Sequence, residues 1–186
     1  MELLSYIAYA GVVIWVLIPI RQFRTRLFLF FLILALLDLI AFVLVIILKT
    51  NFEIIYLIGT SFLLYPLLSE HKIVYKLTLL SILISAAFII FFYTSISPIF
   101  FQMIIHLVIF IFFLRVLVLF YGISRRILYF HLVLLTYEFS LLLKFYIYWN
   151  DVDFGFIYFT LTTLVQIVIG LFFLFFNEKN SPMIKV

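Results

Sequence analysis

The chain has 186 residues, 69% of them hydrophobic and 22% aromatic, with 11% charged and a net charge of +4. A soluble domain carries about a quarter charged residues and about half apolar ones, so this composition leaves no surface to offer water. The basic residues stand in short clusters between apolar runs, which argues against a nucleic-acid partner. With no cysteine and five scattered glycines, the chain also lacks disulfides, thiolate metal sites, cysteine nucleophiles and phosphate-cradling loops.

A transmembrane helix needs about 20 mainly apolar residues, within a range of about 17 to 25. Seven runs meet that requirement, at 3–20, 27–48, 52–69, 73–95, 98–121, 127–149 and 154–177. The first, in "MELLSYIAYAGVVIWVLIPIRQFR", has no basic residue ahead of its apolar core and carries its arginines behind it. It therefore reads as a retained span and not as a cleaved leader. The third run is short and the "SEHK" junction after it is tight, which leaves six spans with a re-entrant segment as the alternative. Because the runs are continuously apolar, the alternation of barrel strands is missing and strands are disfavoured. The expected fold is an all-α membrane protein: seven transmembrane helices in one polytopic domain over residues 1–186, with the lipid bilayer as its surroundings.

The connections set the orientation. The first holds Arg21, Arg24 and Arg26, the third Lys72 with Lys76 close by, and the fifth Arg125 and Arg126. The second has Lys49 with Glu53, the fourth ("TSISP") no charge, and the sixth ("NDVD") Asp151 and Asp153. Odd connections inside and even ones outside satisfies the positive-inside rule, which puts the N-terminus outside and the tail "NEKNSPMIKV" inside. Tyr146, Tyr148 and Trp149 then mark the outer interface, and Tyr121 and Tyr129 the inner one.

Taken in chain order, the spans carry few residues that lipid penalises. Pro19 in span one and Pro66 in span three sit near inner ends, where a kink is tolerated. Span two has Asp38 in "LALLDLIAF". Small residues in span three (Gly59, Thr60) and span four (Ser81, Ser85) suit close helix approach. In span five, Gln102 and His106 share a face in the outer half, and Arg115 near the inner end either snorkels or points at an acid. Span six places His131, Glu138 and Phe145 on one face at seven-residue intervals. His131 reads either as a solvated interfacial residue or as part of a proton relay below Glu138, while Lys144 reads as snorkelling. Thr163, Gln166 and Gly170 share a face of span seven, for packing or for lining a path. The third histidine, His71, lies in a connection.

Asp38 and Glu138 are the costly residues. Each follows an arginine, Arg26 or Arg126, by twelve residues, which is about 18 Å of helix and close to the bilayer midplane. Either acid is held protonated as packing glue or lines a functional cavity. Their matched depth suggests a 3+1+3 parallel repeat, spans one to three on five to seven, which aligns Phe30 with Phe130, Leu32 with Leu132 and Leu34 with Leu134.

No catalytic or metal motif occurs, no cofactor is implied, and span seven lacks the lysine that a retinal protein carries there. An enzyme is not expected. The arrangement resembles SWEET sugar exporters and vitamin-precursor transporters in topology, without their Pro-Gln signature. "NFEIIYLIGTSFLLYPLL", "LTYEFSLLLKFY" and "FGFIYFTLTTLVQIVIGLFFLF" resemble small uncharacterised bacterial seven-span proteins encoded near sensor histidine kinases. That resemblance implies a sensory or accessory membrane subunit in the bacterial cytoplasmic (inner) membrane, with a partner such as a sensor kinase. The midplane acids instead suit a small-solute or proton-coupled transporter, with Asp38, Glu138, His131, His106, Gln102, Arg115, Gln166 and Thr163 as candidate binding residues.

Overall fold

Runs of Leu, Ile and Phe with few glycines or prolines close their backbone hydrogen bonds locally, as helix. The computed structural model describes residues 2–44, 53–68, 73–93, 97–150 and 155–185, and it is mostly helical. Helices α1 (Glu2–Arg21), α2 (Phe28–Val43), α3 (Glu53–Phe62), α4 (Leu64–Leu67), α5 (Ile73–Tyr93), α6 (Pro98–Ser124), α7 (Tyr129–Trp149) and α8 (Gly155–Phe175) follow the seven apolar runs. Among the described residues, α6 and α7 are long and apolar enough to cross a membrane, and the other apolar stretches are shorter. The outer parts of several expected spans, together with Lys49, His71, Lys72, Asp151 and Asp153, lie outside the described residues.

Two expectations need correction. The third run, expected as one helix over 52–69, breaks at Leu63 into α3 and α4. Pro66 has no N–H to give the carbonyl of Phe62, and Leu63 N–H instead donates to Thr60 O at 3.1 Å. Strands were disfavoured, yet β1 (Arg126–Leu128) and β2 (Met183–Lys185) form an antiparallel ribbon with Ile127 opposite Ile184. The sixth run accordingly starts its helix at Tyr129, not at 127. Arg125 caps α6 in the left-handed conformation at φ 52°, which turns the chain out of the helix and exposes backbone groups that the tail then satisfies.

Helix α1 packs against α2 and α8, and α6 forms a hairpin with α7. α3 touches α2, α5 and α6, while α7 also meets α8. The core is a cluster of phenylalanines from four helices. Phe30 meets Phe113 edge-on at 5.3 Å, Phe31 lies 4.9 Å from Phe173, and Phe130 lies 5.2 Å from Phe173. Trp15 of α1 joins it through Tyr137 at 4.6 Å. α5 stays at the edge, with Ala87 its one fully covered residue among those described.

Glycines set two of the close approaches. A Cβ on Gly170 would come within 2.8 Å of Ile14 Cγ2, so α8 reaches α1 only because that carbon is missing. At Gly59 an added Cβ would overlap the side chain of Leu37, which fixes α3 against α2 in the same way. Across the fold, large apolar side chains such as Val13, Ile82, Val118 and Val168 stand exposed on the outer faces of the helices.

At one end of the bundle, side chains tie the helix ends together. Gln22, fully buried, donates from Nε2 to Phe173 O (2.8 Å) and Phe176 O (2.9 Å), closing the end of α8. Arg21 donates to Phe175 O at 3.1 Å, and Lys179 donates to Arg24 O at 3.4 Å. The tail is held by Ser181 Oγ, which accepts from Phe130 N–H at 3.0 Å, and by Pro182 O, which accepts from Tyr129 N–H at 3.1 Å. Arginines, tail and ribbon thus share this end.

Candidate functional site

The i, i+7, i+14 stripe of α7 faces α6 along the hairpin. His131 lies 6.1 Å from the ring of Phe120, and Phe145 lies 5.2 Å from that of His106. Between them Glu138 is fully buried, and its Oε2 sits 2.8 Å from His106 Nδ1, itself on a ring only 4% exposed. Two ionisable side chains from different helices therefore meet in the interior of the bundle. Glu138 Oε1 is also buried and has no hydrogen-bond partner among the described residues. A Leu at either position would cost less to bury.

The chemistry of this pair follows from its surroundings. In an apolar interior the stable states are those with no net charge, and the pair is neutral when it holds one shared proton, as His⁺·Glu⁻ or as His·GluH. Removing that proton leaves a buried anion, and adding another leaves a buried cation. The Nδ1···Oε2 contact has the geometry to share one proton. Gln102, one turn from His106 on α6, is buried on the same side.

A second polar group lies nearby. Asp38 is half-buried, and Tyr56 of α3 donates its hydroxyl to Asp38 Oδ1 at 3.4 Å, a long bond. Lys144 of α7, expected to snorkel, is half-buried and acts electrostatically on Asp38. Tyr137, beside Glu138 in sequence and buried against Trp15, lies in the field of Asp38, of Glu138 and of Tyr56. Tyr137 is thus within electrostatic reach of both acids.

His131 is not solvated, as one reading of it had it, being 3% exposed, and its direct contact is with Glu178, whose Oε1 is 3.4 Å from His131 Nε2. The reason is distance: seven residues of helix separate His131 from Glu138 by about 10.5 Å, while the tail brings Glu178 directly over the ring. The hydrogen bond from His131 holds the Glu178 carboxyl below its ordinary value of 4.5; partial burial opposes this, and the charges of His131, Arg26 and Lys179 assist it. His131 Nδ1 is buried with no hydrogen-bond partner among the described residues.

The remaining candidates lie elsewhere. Arg115 is exposed on α6 and does not point at either acid. Thr163 and Gln166 are half-buried on α8, on the helix whose Gly170 seats α1, and take no part in the His106–Glu138 contact. No group of three or more His, Asp or Glu able to hold a metal occurs among the described residues. Tyr56, Tyr137 and Glu178 were not singled out from the sequence: a tyrosine in so aromatic a chain, or a glutamate in a polar tail, gives no local signal. In comparisons with known proteins, no family model, curated protein or solved structure matches this chain.

Proposed function

We propose that this chain is a seven-span integral membrane protein, N-terminus outside and tail inside, that moves a small solute in exchange for or together with a proton bound at His106 and Glu138. The observation that carries this reading is the 2.8 Å contact of a histidine and a glutamate in a fully buried position between two helices. An intramembrane acid paired with a base is costly to keep, and in membrane proteins such pairs mark ion and proton pathways. Among the described residues, exposed apolar side chains on α1, α2, α5, α6, α7 and α8 support a lipid environment, since an apolar surface of that extent does not persist in water. The bacterial cytoplasmic membrane suits the arginine-rich end facing inward.

The packing supports the 3+1+3 arrangement. In a parallel repeat, the contacts α1·α2, α2·α3 and α3·α6 have as counterparts α6·α7, α7·α8 and α8·α1, and all six are present. The first turn of each half contains an arginine in the left-handed conformation, Arg24 at φ 62° and Arg125 at φ 52°. Phe30 and Phe130, matched by the repeat, are both fully buried, as is Leu134, with Leu34 nearly so. In this reading Asp38 and Glu138 come from equivalent helices of the two halves, and the solute would pass between those halves. It is the buried His106–Glu138 contact that moves the weight from a sensory or accessory subunit to transport.

The test uses reconstituted protein with a pH dye trapped in the vesicles. Under an imposed pH gradient, one or more of a panel of sugars, amino acids, nucleosides and carboxylates should accelerate proton movement. Glu138→Gln should insert normally and abolish that acceleration. A solute-driven proton flux that Glu138→Gln leaves intact would contradict the proposal.

A further inference from the structure

Two buried polar atoms mark a line on α7 apart from the His106–Glu138 contact. Glu138 Oε1 and His131 Nδ1 are both buried and without a hydrogen-bond partner among the described residues. They belong to residues seven apart on one face, with Leu134 and Leu135 between, both buried. His131 Nε2 then contacts Glu178, whose side chain is 26% exposed and so reaches the medium at the arginine-bearing end. A partly exposed carboxyl, a buried imidazole whose second nitrogen has no hydrogen-bond partner among the described residues, and a buried carboxyl thus follow one another inward.

We propose that Glu178 and His131 form the entrance of a proton path to Glu138, closed at rest by Leu134 and Leu135. This rests on the reading of His106 and Glu138 as a proton-holding pair and names its route to one side of the membrane. The imidazole, protonated on both nitrogens against the Glu178 carboxylate, releases its Nδ1 proton toward Glu138 Oε1. Glu178 then takes a proton from the medium, rotation of the ring turns the emptied Nδ1 to receive it, and rotation back restores the starting state. Each cycle moves one proton and leaves no net change at Glu178 or His131. The path refills the pair after His106 has given up the shared proton toward the outer half.

The leucines make the path conditional. About 10.5 Å of helix separates His131 from Glu138, and a dry apolar constriction of that length blocks proton transfer until water enters it. Charged and titratable groups around the entrance are few. Arg26 and Lys179 act on Glu178 from the loop after α1 and from the tail, Phe120 and Phe130 flank His131, and His106 faces Glu138 from α6. The tail is anchored at Ser181 and Pro182 and by the β1–β2 ribbon, which positions Glu178 without a covalent link to α7.

The experiment is a pH jump on reconstituted protein, followed through the infrared carboxyl band that Glu138→Gln removes. Glu178→Gln and His131→Gln should each slow proton uptake at Glu138 roughly ten-fold or more, with its equilibrium midpoint unchanged. Formate added to the medium should restore the rate of Glu178→Gln, which a purely structural role would not allow. Leu134→Ser should speed uptake in the otherwise unaltered protein. If the polar variants fail to insert, Glu178→Asp and Leu134→Ser carry the test by their rates. Wild-type rates in Glu178→Gln and His131→Gln overturn the path while leaving the pair as a proton site. A wild-type Glu138 band that never changes with pH overturns both.

Discussion

Replacing Glu138 by Gln keeps its volume and its acceptor but removes its proton, whereas Leu removes the hydrogen bond as well. If the pair exists to hold a proton, both variants should insert and both should lose function; if it is only packing glue, Gln should behave as the wild type. Glu138→Leu should lower stability by roughly 1–2 kcal/mol, the scale of an interhelical polar contact in lipid, measured by thermal unfolding in detergent. At Gly59, a valine would drive its side chain into Leu37, and we expect a loss of about 1–3 kcal/mol from overpacking. A Gly59→Val protein as stable as wild type would show that α3 and α2 are less closely seated. Both acids were visible in the sequence because a charge within an apolar run stands out. Their partners were not. Counting back from the turn sets His106 level with Phe145, which its ring does touch, and Glu138 meets His106 only because it reaches along the seam.

Among the elements, the helices were legible because apolar runs of spanning length leave the backbone few alternatives to helix. The break at Leu63 follows from Pro66, and the sequence drew attention to that proline without placing the break. The β1–β2 ribbon was not legible, because its partners are 55 or more residues apart and its short strands carry no pattern of their own. The Glu178–His131 contact adds a pH-dependent part to the tail's docking beside this ribbon. Since the folded Glu178 carboxyl lies below its ordinary 4.5, its contribution is present above that value and is lost as pH falls through the lowered one. Proteolysis or hydrogen exchange should find residues 178–185 protected at neutral pH and released in strong acid, and Glu178→Gln should remove that dependence. Protection unchanged in Glu178→Gln would assign the docking to the ribbon and Ser181 alone.

On the scale of the whole molecule, the arginines, the tail and the closed end of α8 gather at one end, which in the proposed topology faces inward. A reporter fused after Val186 should be protected on intact cells and one before Met1 accessible; both on the same side would contradict seven spans. Within that frame the account depends on one property, that a buried histidine and glutamate exchange a proton with the medium. The most direct measurement is an infrared titration of reconstituted protein. Over the pH range in which the protein stays folded, the wild type should show a carboxyl band whose amplitude follows pH and which Glu138→Gln removes while leaving that of Asp38. A Glu138 band of constant amplitude across that range would make the pair a fixed interhelical tie and contradict the account.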